Sequence, residues 1–420
     1  MKRIKATWKG VGIEGILVSE TKDSKTIKLN SGYNIGVKGK ELKDVELGEE
    51  IAIEDKAAEE EGDGEISILG CGGTISSEVD YGTGAVFPRM SPSFLKKSFP
   101  EIESISTIRA KTIFNIFSED MNAGHWGMMA ESAFEELKDG KKGVVLLHGT
   151  DTMHYSAAAM SFALEGLNAP VIFTGAQRSS DRPSSDNKLN LLSSVFSATQ
   201  DIAEVGIVMH SGINDDTAYY IRGNRARKMH SSRRDAFRSI NIPPLAKADY
   251  KKGSFEQLYE YRKRGNSKPK LMNKFSANVA LVYVYPGMRK EMIRGLGTFD
   301  GIVLAGTGLG HLPTNPHNDP LAISVIKEVK ELCDSGIPVF MASQTIYGRI
   351  NLDIYSAGRL IQEAGVMGNG LDMTPETAYI KLCWVLGQEK NAKKVREIME
   401  KDIAGELSGR SSMAGYSPFQ

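Results

Sequence analysis

From Glu65 onward, short apolar runs alternate with longer segments whose apolar residues recur every three or four positions. The runs are ISILG (66–70), GVVLLH (143–148), PVIFTG (170–175), VGIVMH (205–210), VALVYVY (279–285), GIVLAG (301–306) and IPVFMA (337–342). Between them lie segments such as WGMMAESAFEEL (126–137) and YSAAAMSFALEGL (155–167). Runs this short and apolar suit strands covered on both faces, and the helical segments supply the crossovers that parallel strands need. The alternation predicts an α/β fold on parallel sheet. Small polar loops follow the runs: CGGT, GTD, AQR, SGINDD and GTGLG. Such residues also make ordinary turns, but a parallel sheet places its ligand crevice outside the carboxyl ends of its strands. Five such loops in series predict a site there.

A chain of 420 residues accommodates about three domains. Residues 1–54 read differently from the rest. VGIEGILVS, KTIKLN, YNIGV and EEIAIED are short strand-like runs separated by glycine, asparagine and lysine, and four or five of them predict a small all-β barrel. Residues 55–65 belong to EDKAAEEEGDGE, with seven acids against one lysine, a solvated linker. A first α/β domain is expected over 66–265 and a second over 276–420, divided by the polar stretch at about 246–276.

Several function classes are disfavoured at once. Lys plus Arg and Asp plus Glu both number 52, so the formal charge is zero and no nucleic acid or anionic membrane is required as the main partner. Three scattered cysteines, Cys71, Cys333 and Cys383, form no disulfide framework or CxxC zinc site. No apolar segment follows the basic start MKRIKATWKG and no run approaches a membrane span, which places the protein in the cytoplasm by expectation. GCGGT lacks the lysine of a phosphate-binding loop, GTGLG lacks the last spacing of a dinucleotide turn, and no histidines stand at HExxH spacing. No cofactor or metal is expected in this chain.

The stretch GCGGTISSEVDY (70–81) offers two nucleophiles, Cys71 and Thr74. A cysteine mechanism wants a histidine beside the thiolate, and none is assignable; cysteine is also a common small buried residue at a strand end. A threonine hydroxyl needs a base. HGTDT (148–152) supplies a second threonine, Thr150, with Asp151 next to it, and IRGNRARKMHSSRRDAFRS (221–239) carries seven basic residues. A lysine base must be tuned from about 10.4 towards ~7–8 by burial or neighbouring cations, and Arg225, Arg227 and Arg233 flank Lys228 in sequence. The same run also reads as a solvated basic face.

GCGGTIS, HGTDTMHYSA, TGAQRSS and RKMHSSRRDAFRS resemble, in order and spacing, the bacterial-type L-asparaginase family, from about residue 65 to the C-terminus. The resemblance implies that Thr74 is the first catalytic threonine and Tyr81 the loop tyrosine that assists it. It implies a second triad of Thr150, Asp151 and Lys228, with the order of attack between Thr74 and Thr150 open. Ser118 falls where the family contacts the substrate α-carboxylate, with Asp151 near the α-amino group. Glu119 stands where secreted asparaginases usually carry glutamine. The front barrel with KLNSGYNIGV, the acidic linker and the late stretch LDMTPETAYIKLCWVLG (371–387) further resemble the D-subunit family of archaeal glutamyl-tRNA(Gln) amidotransferases. That resemblance implies glutamine hydrolysis here, with ammonia passed to a partner, the E-subunit, which uses ATP and Mg to activate Glu-tRNA(Gln). It also implies a homodimer within a heterotetramer. A stand-alone cytosolic asparaginase and a non-catalytic docking or RNA-binding module are the competing readings, and the barrel fits either protein or RNA docking.

Overall fold

The computed structural model describes residues 2–29, 34–50, 63–73, 77–79, 86–88, 95–96, 98–178 and 184–416. Thr74 and Tyr81 lie outside the described residues, as do 51–62, which hold most of the acidic linker.

The N-terminal unit is a five-stranded antiparallel sheet in the spatial order Asn34–Lys38, Ser24–Leu29, Val11–Glu20, Lys2–Trp8, Leu42–Glu50. Val37 from one edge strand and Leu42 from the other share a small core with Ile4, Ala6 and Ile27, so the sheet curls around its apolar face in barrel-like fashion. One strand differs from expectation. Lys2–Trp8 reads KRIKATW, whose cations alternate with the apolar Ile4 and Ala6; the alternation is that of a half-buried strand rather than of a basic start. The strand Leu42–Glu50 includes the first two residues of EEIAIED, and the rest of that expected run lies outside the described residues.

The main sheet has eight strands in the order Ser254–Gln257, Ala246–Asp249, Ala218–Arg222, Val205–His210, Val171–Thr174, Gly143–Leu147, Ile66–Gly70, Ile108–Thr112. The five strands from Val205–His210 to Ile108–Thr112 are parallel, and the four central runs named in the sequence lie among them. The other three strands join through antiparallel pairings, so the sheet is parallel at its centre and mixed overall. The physical reason is connection length: residues 211–217 span too little chain for a crossover, so the strand turns back. Two of these strands lie in the polar stretch expected to divide the domains. Ser254–Gln257 is an exposed edge strand, and polar side chains there keep the edge solvated.

A second sheet, Val279–Tyr283, Gly301–Gly306 and Val339–Ser343, is wholly parallel. Its helix Pro375–Gln388 packs on Met153–Ala163, which covers the main sheet. Phe162 and Trp384 stack with ring centroids 5.8 Å apart, while alanines at 157–159, 163 and 378 let the backbones approach. The helix start is set by Thr374, whose hydroxyl accepts the Thr377 N–H, and by Pro375 in the first turn. Near its middle Lys381 is fully buried with Glu406 at 2.6 Å, and Lys381 also donates to the Met399 and Lys401 carbonyls. Among the described residues no helix is long and apolar enough to cross a membrane.

Removing one partner of a buried ion pair strands the other charge, at a cost of about 3–5 kcal/mol. Lys381→Met is therefore expected to lower the urea midpoint strongly, and Lys381→Met with Glu406→Gln to recover part of the loss. A midpoint within experimental error of the parent for the single variant would contradict the buried pair.

Candidate active site

The site begins with a backbone contact between two strand-end loops. Gly72 and Gly73 follow the strand Ile66–Gly70 with φ of 95° and 89°, a region that L side chains rarely adopt. A Cβ on Gly73 would lie 2.8 Å from the Gly149 nitrogen, and one on Gly72 would overlap the Ile116 carbonyl. Both positions thus require glycine twice over, for conformation and for space. The consequence is that the residues just before Thr74 and Thr150 lie against each other.

The HGTDT loop is fixed from below by His148. Its ring is buried, with Nδ1 2.6 Å from the Gly149 carbonyl and Nε2 2.8 Å from Ser156 Oγ. A carbonyl only accepts, so Nδ1 carries the hydrogen and Nε2 accepts from the serine. Burial lowers the His148 pKa to about 4, which keeps that tautomer neutral at ordinary pH. Thr152 Oγ1 donates to the Ser118 carbonyl at 2.5 Å, and a Cβ on Gly149 would sit 2.8 Å from Ser118 Cβ. Ser118 is thereby buried against the loop, and Glu119, next to it in the short 3-10 turn Ser118–Asp120, is exposed.

Lys228 closes the constellation from a different part of the chain. It ends the strand Ala226–Lys228, which pairs with Phe237–Ser239 in a two-stranded ribbon of its own. Its Nζ donates to Thr150 Oγ1 at 3.0 Å and to Asp151 Oδ1 at 2.7 Å. The lysine side chain is 9% exposed and the aspartate 70% exposed, so a mostly buried amine faces an open carboxylate. At 3.0 Å the hydroxyl and amine are within proton-transfer reach. Of the sequence-derived candidates, Ser118, Thr150, Asp151 and Lys228 are brought together, with Glu119 adjacent.

Two expectations about the surroundings change. The seven cations from Arg222 to Arg238 do not form a solvated basic face: Arg222 pairs with Glu204, Arg225 with Asp372 and Arg227 with Glu376. Arg233 and Arg238 share Asp235, Arg234 holds Asp215, and Lys228 holds Asp151. The arginines flanking Lys228 in sequence therefore each carry a carboxylate. Asp372 and Glu376 lie 147 and 149 positions from their arginines, so no local spacing announces them, whereas Asp235 is two positions from Arg233. His154, given no role by the sequence reading, lines a solvent-facing cavity of about 400 Å³ beside Asp151, Lys228 and Glu376. Its Nδ1 is buried without a hydrogen-bond partner among the described residues, and burial lowers its pKa to about 4.

Cys71 is fully buried in the core, and burial pushes its thiol far above the usual range. It packs, as expected of a small residue at a strand end. Among the described residues no group of three His, Cys, Asp or Glu stands close enough to hold a metal ion.

Cys71→Ser is expected to leave amide hydrolysis within about twofold of the parent, and the folded parent to resist iodoacetamide at pH 8, since thiolate is the reactive form. Rapid alkylation with loss of activity would reinstate the cysteine. A second expectation concerns acid. His148 and His154 have folded pKa values below their ordinary 6.5, so the unfolded chain binds more protons between pH 6.5 and about 4. Their contribution to stability is present above pH 6.5 and is lost as pH falls through that window. Thermal melts in buffers from pH 7 to 4.5 should show a falling Tm; a flat profile would exclude neutral buried histidines.

Comparison with known proteins identifies the family. Residues 65–260 match the family model for the asparaginase N-terminal domain, and residues 278–399 that for the glutaminase/asparaginase C-terminal domain. The glutamyl-tRNA(Gln) amidotransferase D-subunit of Pyrococcus abyssi is 46% identical over 92% of this chain and 88% of that protein. The protein of the same name from Methanobrevibacter smithii is 42% identical over 98% and 94%. Among solved structures, the thermostable L-asparaginase from Thermococcus kodakarensis superposes with a TM-score of 0.72 at 30% identity, covering 82% of this chain and 99% of that one. L-asparaginase I from Vibrio cholerae gives 0.69 at 28%, over 82% and 98%. With its two asparaginase domains and relatives matched over nearly its whole length, the chain belongs to the D-subunit family of glutamyl-tRNA(Gln) amidotransferases.

Proposed function

We propose that this chain is the glutamine-hydrolysing component of a tRNA-dependent amidotransferase, acting through a threonine nucleophile. The observation that carries the chemistry is the Lys228 amine, hydrogen-bonded at once to Thr150 Oγ1 and Asp151. The proposed course is acyl transfer. A threonine hydroxyl, of Thr74 or Thr150, attacks the side-chain amide carbon while Lys228, in its neutral form, takes the hydroxyl proton. Collapse of the tetrahedral intermediate breaks the C–N bond, and the lysine returns the proton to the departing nitrogen as ammonia leaves. Water then attacks the resulting ester, the proton passes again through Lys228, and glutamate is released. Backbone N–H groups of the two glycine-threonine loops are the proposed oxyanion donors. Ser118 and the open carboxylate of Asp151 would hold the α-carboxylate and α-amino group, with Glu119 adding negative charge near the ammonium and Tyr81 assisting Thr74.

The same reading places this chain in a larger assembly. Its proposed partner is the amidotransferase E-subunit, which would consume ATP and Mg and carry Glu-tRNA(Gln), and the proposed assembly is a homodimer inside a heterotetramer. Support comes from the D-subunit relatives, which match the N-terminal sheet as well as the body; the asparaginase structures cover 82% of the chain.

The test uses glutamine labelled with nitrogen-15 at the side-chain amide, together with this chain, the E-subunit, ATP, Mg and Glu-tRNA(Gln). Label is expected in Gln-tRNA(Gln), and is expected to vanish with Thr150→Ala, Thr74→Ala or Lys228→Arg, since guanidinium cannot serve as a base. Losses should exceed about 100-fold, the scale of general-base removal. Label found only as free ammonia would leave a stand-alone amidohydrolase, and an active Lys228→Arg chain would remove the lysine from the base role.

A further inference from the structure

The base-bearing strand does not belong to either large sheet. Ala226–Lys228 and Phe237–Ser239 are three residues each and pair with one another. A two-stranded ribbon of that length is not stable by itself, yet Lys228 must present a flexible four-carbon side chain to two acceptors at once. Something outside the ribbon has to hold it.

The holding groups come from LDMTPE (371–376), the stretch that the catalytic residues leave unused. On the N-terminal side of the lysine, Arg225 is buried with Asp372, Nη1 to Oδ2 at 3.1 Å, and its Nε donates to the Gly405 carbonyl at 3.0 Å. Thr377 Oγ1 donates to the Asn224 carbonyl at 2.9 Å. Next to the lysine, Arg227 Nε donates to Glu376 Oε1 at 2.9 Å, and the Tyr283 hydroxyl reaches the same oxygen at 3.4 Å. Glu376 is 4% exposed on its side chain and lines the same cavity as Lys228 and Asp151. Asp372 and Glu376 are four residues apart, at the entry and first turn of the helix Pro375–Gln388, and that helix is locked in place by its packing on Met153–Ala163. The ribbon is thus clamped to a rigid element on both sides of Ala226.

We propose that Asp372 and Glu376 are positioning residues for Lys228, so that the second α/β unit, which gives no side chain to the Thr150–Asp151–Lys228 group, sets the aim of its base. The proposal rests on the amidohydrolase reading above. Glu376 touches Arg227 rather than Thr150 or Asp151, so its effect runs through strand position. A displacement of about 1 Å at a catalytic group costs on the order of 100-fold in rate.

The experiment is steady-state hydrolysis of glutamine by the full chain with its partner protein, comparing parent, Glu376→Gln, Arg227→Lys, Lys228→Ala and the double variant Glu376→Gln/Lys228→Ala. Glu376→Gln keeps an acceptor of similar shape but loses the charge that holds the guanidinium. A fall in kcat of about 10- to 100-fold is expected for it and for Arg227→Lys, with KM within about threefold and Tm close to the parent. In the Lys228→Ala background Glu376→Gln should add no further loss, because both act on one group. A soluble Glu376→Gln chain with parental kcat would overturn the proposal, as would a rise in KM with kcat unchanged or an additive loss on top of Lys228→Ala. Should Glu376→Gln fail to fold, Arg227→Lys decides by the same kcat and KM criteria. If the parent itself releases no ammonia from glutamine, the amidohydrolase reading fails, an outcome distinct from any difference among the variants.

Discussion

The site depends on one amine held between two oxygens. Lys228 Nζ meets Thr150 Oγ1 and Asp151 Oδ1 across 77 or 78 positions of sequence, and nothing local brings them together. The threonine and aspartate sit on a loop made rigid by parallel strand pairing and by the neutral His148 ring beneath it. The lysine sits on a ribbon too short to be rigid, and borrows its position from ion pairs to the second sheet's helix. The geometry of the Thr150–Asp151–Lys228 group is therefore a property of the packing between two layers rather than of either one.

That division explains the unusual density of paired charge around the site. Burying Arg225 and Asp372 removes both from water, a penalty that Coulombic attraction and hydrogen bonds must offset. Here the remaining donors of Arg225 reach the Gly405 carbonyl and Ser408 Oγ, and Asp372 also accepts the Ser408 N–H. Such pairs add little net stability compared with apolar packing, but they fix direction, which apolar contacts do not. The buried Lys381–Glu406 pair acts at one remove: Glu406 accepts the Ile403 and Ala404 N–H groups, holding the loop whose Ala404 and Gly405 carbonyls receive Asn224 and Arg225.

Legibility varied with how local the deciding interaction is. The four central strands of the main sheet and all three of the second could be read from apolar runs, because strands covered on both faces need little else. The strands not read from the sequence include Ile108–Thr112 and Ser254–Gln257 at the two edges of the main sheet and Lys2–Trp8 inside the N-terminal sheet, where polar residues dilute the apolar ones. The antiparallel turn after His210 was missed for a different reason, since strand direction follows from connection length rather than from composition. At the site, glycine and threonine loops at strand ends marked Thr150 and Asp151, whereas the pairing of Arg225 with Asp372 and of Arg227 with Glu376 gave no sequence sign.

By itself the sequence determined the α/β class, the strand-end location of the site, the residue types able to do amide chemistry, and the burial of Cys71 as a small apolar side chain. These follow from periodicity and from the chemistry of single residues, both of which are local. Only the tertiary structure decided which carboxylate each arginine meets, that Gly73 and Gly149 touch, and that LDMTPE clamps the lysine ribbon. The contacts of Gly73 with Gly149, of Arg225 with Asp372 and of Arg227 with Glu376 join residues 76, 147 and 149 positions apart, and they exist only once apolar layers have packed and brought their polar edges within hydrogen-bonding distance.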